Sequence, residues 1–303
     1  MNWFSASAGA LRDTPPSRPW RPSPLLYGAA AVHVAGVGAM LTHPGSMIPA
    51  LAGIAATHAA MCAGGLWPRS TWLGPNLLQL PPAAHDCVAL TFDDGPNPAL
   101  TPRVLDLLDQ HGARATFFCI GERAAAHPAL VREIIRRGHA VENHSMHHRL
   151  HFSLFGPGRM LRDISAAQQV LGDITGQAPR FFRAPAGLRN PFLEPVLCRL
   201  GLQLAAWTRR GFDTRCGDIA ARVAQRLTGK LAGRDILLLH DGNPGVDPAG
   251  NPHCITVLPD LLAAIDRAGL RCVTLRAAVE AVEAVEAVES GHADSRTGQS
   301  PTN

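Results

Sequence analysis

Two positions in the sequence carry residue types that can hold a metal ion and move protons. Asp93 and Asp94 are adjacent carboxylates, and His144 and His148 are imidazoles four residues apart. If the chain is helical at 144–148, the imidazoles share one face and can grip one metal ion. Two imidazoles and one carboxylate leave positions open for water and substrate, which is typical of catalytic zinc. The remaining carboxylate can then serve as a general base.

Further candidates follow other apolar runs of the sequence. His240 could be a general acid for a leaving amine, Arg183 could hold the base ionised through a charge-assisted pair, and Asp213 lies at another run's end. Each feature alone has an ordinary structural explanation, such as a turn for Asp-Asp-Gly-Pro or a strand end for His240. Their occurrence after five different apolar runs favours a shared site.

These runs are the elements that would position the candidates. Between residues 85 and 276, seven β-rich apolar runs alternate with helical patterns, at 87–92, 115–121, 139–143, 180–185, 202–208, 235–240 and 271–275. Glycines that follow helical stretches predict left-handed C-terminal caps at Gly112, Gly138, Gly201 and Gly269. The alternation predicts one parallel α/β domain, plausibly a barrel, whose reactive residues collect at the carboxyl ends of the strands.

An apolar segment at 25–67 precedes this domain. Residues 25–42 and 47–67, 18 and 21 residues long, contain no Asp, Glu, Lys or Arg. We expect a two-helix membrane hairpin; a water-soluble helical pair, or a signal sequence followed by a buried helix, are the alternatives. Arginines at 12, 18, 21 and 69 flank the spans, and the link has none. The positive-inside rule then places the following domain on the cytoplasmic face of a bacterial inner membrane.

Composition excludes some classes of protein. The formal charge is only +4 and no basic run interleaves with aromatics, so we expect no nucleic-acid partner. Seven cysteines without a CxxC pair indicate neither a disulfide framework nor a thiolate zinc site. Residues 1–24 are an expected N-terminal tail, and 277–303 an expected helical extension followed by a disordered tail.

Five ordered stretches resemble the motifs of the NodB-like polysaccharide deacetylases, carbohydrate esterase family four: TFDDGPNP, HSMHH, FFRAPAG, WTRRGFDT and ILLLHDG. The resemblance covers residues 86–276 and implies a distorted (β/α) barrel of about seven strands. It implies one divalent metal ion, zinc first, with cobalt, nickel, iron or manganese as alternatives. It implies Asp94, His144 and His148 as the metal ligands. It implies Asp93 as the general base, oriented by Arg183, and His240 as the general acid, tuned by Asp213. The residues expected around the substrate are Ala186, Arg210 and Leu238, with the backbone N–H of Ala186 donating to the oxyanion.

The chain departs from the family pattern in motifs three and four. Ala186 replaces an aromatic, and Arg210 followed by Asp213-Thr214 replaces Asp followed by Asp-Trp. The aromatic walls that grip a sugar polymer are therefore expected to be missing. Arg209 and Arg210, with Arg189 nearby in sequence, suggest an anionic feature on the substrate.

The predicted function is a metal-dependent hydrolase that removes an N-acyl group, acetyl first, from an amino sugar of a polysaccharide or a lipid-linked saccharide. Alternatives are a deformylase or deacylase of a polyprenyl-phosphate-linked amino sugar, and a non-catalytic carbohydrate-binding relative. A magnesium-dependent phosphate enzyme is a further class, which the two histidines disfavour because magnesium prefers oxygen ligands.

Overall fold

The structure is a computed structural model that describes residues 17–215, 217 and 220–284. Two helices come first, α1 (Pro24–Thr42) and α2 (Met47–Leu66), joined by a 3₁₀ turn at Pro44–Ser46. Gly36 packs against Ala50 and Gly53 against Val32, a pairing that makes the helices antiparallel. Both helices are long and apolar enough to cross a membrane, by length and composition.

The hairpin is almost entirely exposed. Only 11% of the apolar window of α1 and 6% of that of α2 are buried inside the molecule. A core helix of a water-soluble protein would bury its apolar face, so the alternative of a buried second helix is disfavoured. That the hairpin crosses a membrane, and that the barrel lies on its cytoplasmic side, both stay predictions. Residues 1–16, with Arg12, lie outside the described residues.

A curved parallel sheet follows the hairpin. Within the described residues its strands are β1 (Cys87–Asp93), β2 (Ala115–Cys119), β3 (Ala140–Asn143), β4 (Phe181–Phe182), β5 (Gln203–Leu204), β6 (Arg209–Arg210), β7 (Ile236–His240) and β8 (Arg271–Cys272). The order is β5-β4-β3-β2-β1-β7-β6, with β8 also paired to β1, and every pairing between these strands is parallel. The predicted distorted (β/α) barrel of about seven strands is confirmed.

Helices cover the outside of the sheet. In chain order they are α3 (Thr101–Gln110), α4 (Gly121–Ala126), α5 (Pro128–Arg136), α6 (Pro157–Thr175), α7 (Leu193–Arg199), α8 (Ala220–Thr228) and α9 (His253–Arg267), and residues 275–284 are helical too. The predicted cap glycines have φ values of 60° at Gly112, 81° at Gly138, 69° at Gly201 and 66° at Gly269, which confirms the left-handed caps. The expected disordered tail after residue 290 lies outside the described residues, and the predicted domain boundaries stay predictions.

The run at 202–208, expected to be one strand, contains only β5 at 203–204, and β6 follows directly after the run at the opposite end of the sheet order. β5 pairs with β4, whereas β6 pairs with β7. Between them, the carbonyl oxygens of Ala205 and Ala206 accept hydrogen bonds from the guanidinium of Arg183. Ala205 N and Ala206 N donate to Phe182 O and Leu77 O, and the chain then crosses the open side of the barrel from β5 to β6. The run at 180–185 likewise contains only the two-residue β4.

The hairpin is fixed directly to the barrel. Arg189 N donates to Gly65 O at 3.1 Å, and a Cβ on Gly65 would lie 2.3 Å from Arg189 O. On the N-terminal side, Arg18 pairs with the buried Glu194 at 2.7 Å, on α7. The last turn of α2 therefore lies against the loop that follows β4.

Candidate active site at the barrel rim

Strand alternation brings the first two candidates to the inside of the barrel. Val88, Leu90 and Phe92 of β1 pack with the outer helices, so Thr91 and Asp93 point inward. His240 ends β7 directly beside Asp93, as its partner in register. Because β1 and β7 end side by side, the base candidate Asp93 and the acid candidate His240 lie together at the carboxyl end of the barrel.

Asp94 lies beside the two imidazoles of the candidate metal site. Its Oδ1 is 3.3 Å from His144 Nε2 and 3.1 Å from His148 Nε2, and one ligand atom from each residue lies within 4.8 Å of the others. Asp93 instead pairs through Oδ1 with Arg183 Nη1 at 2.7 Å, and its Oδ2 lies farther from His144 Nε2, at 3.9 Å. The two aspartates therefore face different partners, as their adjacency in the sequence predicts.

The histidines do not share a helix face, so that expectation is wrong. Residues 144–148 form a loop in which Ser145 has φ 66° and His148 has φ 47°. Side chains replace helical bonds here, because Ser145 N donates to Asn143 Oδ1 and His148 N donates to Ser145 Oγ. The loop still places the two rings 4.8 Å apart, measured between their centroids.

The donor set fits a divalent metal ion. Asp94 Oδ1 is buried and has no hydrogen-bond partner among the described residues, although two imidazoles are adjacent to it. His144 Nδ1 is 2.8 Å from the carbonyl oxygen of Arg183, which can only accept, so Nδ1 carries the proton. The lone pair of His144 Nε2 is then directed at Asp94, the tautomer that a metal ligand needs.

Charge also favours an ionised Asp94. Burial acts to raise the pKa of this carboxyl, but the imidazoles of His144 and His148, when protonated, outweigh burial and hold the pKa below its usual range; a metal ion bound by the neutral rings would supply the positive charge instead. An anionic oxygen that lacks a hydrogen-bond donor is costly inside a protein unless a cation balances it. This environment is consistent with a metal ligand.

Asp93 is held by a buried ion pair. Arg183 donates from Nη1 to Asp93 Oδ1 at 2.7 Å and to Thr91 Oγ1 at 2.8 Å, and both ends of the pair are almost fully buried. The same guanidinium donates to the carbonyl oxygens of Ala205 and Ala206. With one carboxylate oxygen fixed by arginine, the other remains directed toward the cavity.

His240 and Asp213 form a second buried pair. Asp213 accepts from His240 N at 2.7 Å through Oδ2, and its Oδ1 is 2.9 Å from His240 Nδ1. Burial acts to lower the pKa of His240, but the carboxylate of Asp213 more than offsets it, so the pKa is raised. The geometry leaves His240 Nε2 as the free ring nitrogen.

A cavity of about 210 Å³ opens at these side chains. It is lined by all three metal-ligand candidates and by Asp93, His240, Ala186, Arg210 and Leu238, together with Leu150, Gly187, Trp207, Thr214 and Asn243. Ala186 stands in a tight turn with φ 55°. The structure thus brings the predicted metal ligands, base, acid and substrate residues to one cavity, and Arg183 and Asp213 lie behind the base and the acid.

One aromatic residue, Trp207, is part of the cavity lining, whereas Ala186 and Thr214 leave the two family positions without an aromatic, as expected. The ring of Trp207 lines the cavity from the segment that crosses the open side of the barrel. Phe212 is partly exposed nearby, and the guanidinium of Arg210 lies 5.5 Å from the Trp207 ring and 5.1 Å from the Phe212 ring. The motif WTRRGFDT contains both aromatics, but their position depends on the crossing segment, which the strand pattern does not predict.

Only one of the three arginines expected at an anionic substrate feature faces the cavity. Arg209 Nε pairs with the buried Asp235 at 2.5 Å. Arg189 is buried, and its guanidinium donates to the backbone oxygens of Ser70 and Gly74. Arg209 and Arg189 are therefore engaged in structural contacts, and the expectation that they bind an anionic substrate group is wrong. Arg210 lines the cavity, and its Nε has no hydrogen-bond partner among the described residues.

Comparison with known proteins matches this chain and its fold to one family. The family model for polysaccharide deacetylase matches residues 81–205. A peptidoglycan-N-acetylglucosamine deacetylase of Bacillus cereus is 33% identical over 209 residues, which cover 68% of this chain and 90% of that protein. A chitooligosaccharide deacetylase of Bradyrhizobium is 35% identical over 189 residues, 60% of this chain and 85% of that one.

Solved structures agree with the sequence relatives. The peptidoglycan deacetylase PdaC from Bacillus subtilis superposes with a TM-score of 0.57 at 26% identity. The match covers 68% of this chain and 95% of that chain. The shared part has the length of the barrel without the N-terminal hairpin.

Proposed function

The chain belongs to the polysaccharide deacetylase family, and we propose that it hydrolyses the N-acetyl amide of an amino sugar with one divalent metal ion. Family membership makes it a hydrolase of carbon–nitrogen bonds other than peptide bonds. The observation that carries the metal proposal is the cluster of Asp94, His144 and His148 beside two separately paired groups, Asp93 and His240. Acetate released from N-acetylated amino sugars, with a free amine left on the sugar, tests it.

The donor set favours zinc among the candidate metals. Two imidazoles and one carboxylate suit zinc, and also cobalt, nickel, iron and manganese, better than magnesium. A bound divalent cation supplies Lewis-acid polarisation of the amide carbonyl and of the attacking water. Asp94, His144 and His148 would hold it, with the tautomer of His144 fixed by Arg183 O.

Asp93 is the proposed general base. Its ion pair with Arg183 holds one carboxylate oxygen, and the other can accept the proton of water as the oxygen attacks the amide carbon. The same pair fixes the direction of the carboxylate, because the guanidinium is itself held by two backbone carbonyls. Thus Arg183 acts as a positioning residue.

His240 is the proposed general acid. Asp213 accepts from Nδ1, so a protonated ring presents its second proton at Nε2, where it can pass to the departing sugar nitrogen. Protonation of that nitrogen is needed because an amine anion is a very poor leaving group. In the same proposal, the backbone N–H of Ala186 donates to the developing oxyanion, and Leu238 forms an apolar wall of the cavity.

The substrate class follows from the relatives and from the cavity. The relatives are named for peptidoglycan N-acetylglucosamine and for chitooligosaccharide, so N-acetylglucosamine-containing saccharides are the first candidates. Trp207 adds an apolar side chain, 7% exposed, to the wall of the cavity. A second candidate is an amino sugar carried on a lipid phosphate, which the unpartnered Arg210 Nε and the hairpin favour.

The pH dependence should report the pair of His240 and Asp213. A general acid works while protonated, so activity is lost as the pH rises through the pKa of His240. Asp213→Asn removes the charge that raises this pKa. We expect the alkaline limb of the kcat/KM profile to move to lower pH. A variant that is slower at every pH with an unmoved limb would show that Asp213 only supports the structure.

Arg210→Ala should separate the two substrate candidates. A charged hydrogen bond contributes about 1.5–3 kcal/mol, so we expect a roughly 10–100-fold lower kcat/KM for a lipid-phosphate substrate and little change for a neutral N-acetylglucosamine oligomer. Arg209→Ala is the matched control, because Arg209 pairs with Asp235 and should leave the ratio of the two kcat/KM values unchanged. An equal loss on both substrates in Arg210→Ala would rule out phosphate recognition by this residue.

A further inference from the structure

Large apolar side chains are exposed on the rim beside the catalytic cavity. Leu150 is 82% exposed, Leu154 81% and Phe192 48%. Leu150 also lines the cavity together with Asp94 and His148, so the exposed residues begin at the mouth of the site. Single exposed apolar residues are common, but three on neighbouring loops need a reason.

The two loops form one surface. Asn190 Nδ2 donates to Ser153 O at 2.8 Å and to Phe155 O at 2.9 Å, which joins the loop after β4 to the loop before α6. Leu154 lies between the two acceptors in the sequence, and Phe192 is two residues beyond Asn190. These two hydrogen bonds thus hold together the loops that carry Leu154 and Phe192.

Positive charge flanks the apolar residues. Arg149, Arg159 and Arg162 are exposed and line one cleft of about 310 Å³ with His147. The acidic side chain in this lining is Asp163, and its Oδ1 already accepts a hydrogen bond from Met146 N. The rim patch is defined as these three arginines with Leu150, Leu154 and Phe192. Apolar tips beside arginines match the interface of an anionic bilayer, where headgroups and acyl chains meet.

The rim patch continues the end of the membrane hairpin. The loop after β4 contacts the last turn of α2, with Arg189 N bonded to Gly65 O and a Cβ on Gly187 placed 2.7 Å from Pro68. Trp67 and Trp72 are exposed at the same end of the helix, and tryptophan is enriched at membrane–water interfaces. If α2 spans the bilayer, this loop cannot lie far from the headgroups.

We propose that the rim patch is a membrane-contact surface that rests on the anionic bilayer crossed by the hairpin, so that the catalytic cavity opens at the headgroup level. Continuity with α2 and the arginine charge select a bilayer over a protein partner or a second copy. The consequence for substrate rests on the proposed function: an amino sugar carried by a lipid of the same membrane reaches the cavity without leaving the interface.

Tryptophan fluorescence in the full chain tests this contact. The chain is reconstituted into vesicles whose lipids carry brominated acyl chains, which quench only nearby indoles. Leu154→Trp adds a reporter in the rim patch, and Gln110→Trp adds one at the opposite end of the barrel, where α3 ends before β2 begins. Each signal is taken as the difference from the parent, which has five native tryptophans. We expect loss of the added fluorescence for Leu154→Trp and none for Gln110→Trp.

A second experiment varies the charge of the lipid headgroups. Quenching of Leu154→Trp should be stronger with phosphatidylglycerol than with phosphatidylcholine alone, and Arg149→Gln with Arg162→Gln should remove the difference. If bromolipid leaves the indole added by Leu154→Trp unquenched and soluble acrylamide quenches it freely, the proposal is overturned. Shielding from acrylamide that grows with protein concentration, without bromolipid quenching, assigns the patch to a second copy and also overturns it.

Acetate release from a soluble N-acetylglucosamine oligomer, measured on the same samples, separates the two proposals. An active protein without bromolipid quenching contradicts only the membrane contact. An inactive protein with strong quenching contradicts only the proposed function. Leu154 is suited to this comparison because it does not line the catalytic cavity.

Discussion

His144→Ala and His148→Ala are each expected to remove both the bound metal and the hydrolytic activity. Each substitution deletes one of three protein ligands, and the two that remain hold a divalent ion only weakly. The metal content per chain, measured by elemental analysis after dialysis, and acetate release on the same samples check this. The loss should be larger than the ~10–100-fold cost typical of residues that only support a ligand.

His147→Ala is the matched control for these variants. His147 lies between the two ligand candidates in the same motif, but its side chain is exposed and its Nδ1 is 2.9 Å from Glu122 Oε2. We expect near-normal metal content and activity. Loss of metal in His147→Ala, with both other variants still loaded, would overturn the ligand assignment.

Asp93→Asn is expected to keep the metal and lose activity by roughly 10²–10⁴-fold, the usual contribution of a general base. Asparagine keeps the shape of aspartate but accepts no proton at neutral pH. Asp94→Asn should instead weaken metal binding, because it removes the one anionic ligand. Paired measurements of metal content and kcat separate the two roles, and an emptied site in Asp93→Asn would mean that the roles are swapped.

Folding must be followed in the Asp93 variant. Breaking a buried ion pair can cost about 3–5 kcal/mol, because the remaining charge stays buried. Arg183 retains two backbone carbonyl acceptors, Ala205 O and Ala206 O, which should moderate this cost. A thermal melt of each variant therefore accompanies the kinetics, and a folded, metal-loaded and inactive Asp93→Asn is the expected result.

Much of the fold could be predicted from the sequence because local signals agree with each other. The apolar runs at β1, β2 and β7 are buried on both faces, and the glycines after helices adopt the left-handed φ that their positions require. The rim location of Asp93 and His240 follows from strand ends and two-residue alternation alone. These parts depend only on short-range pattern.

The errors arose where distant contacts decide the local structure. The loop that presents His144 and His148 is held by α6, because Asn143 Nδ2 donates to Ile164 O and Gln168 Oε1, and Met146 N donates to Asp163 Oδ1. The run at 202–208 is a strand only at 203–204, and the guanidinium of Arg183 binds the carbonyl oxygens of Ala205 and Ala206 that follow. The sequence pattern of a loop or a strand does not contain such partners.

Charge patterns were the weakest guide to function. Arg189 and Arg209 looked like substrate contacts beside Arg210, yet one holds the backbone of residues 70 and 74 and the other neutralises Asp235. An arginine in a motif can serve packing as well as binding, and only its partners distinguish the two uses. Trp207 was not predicted to line the cavity, because its position depends on the segment that crosses the open side of the barrel.

The proposal that the chain is a metal-dependent deacetylase is tested most directly by measuring acetate release by the full chain with and without metal. Protein stripped with a chelator is assayed on an N-acetylglucosamine oligomer, reloaded with one equivalent of zinc and assayed again. We expect acetate release to fall to background after stripping and to return on reloading in the wild-type chain and in His147→Ala, but not in His148→Ala. Undiminished acetate release by the metal-free chain, or equal recovery in His148→Ala, would contradict a metal-dependent mechanism with His148 as a ligand.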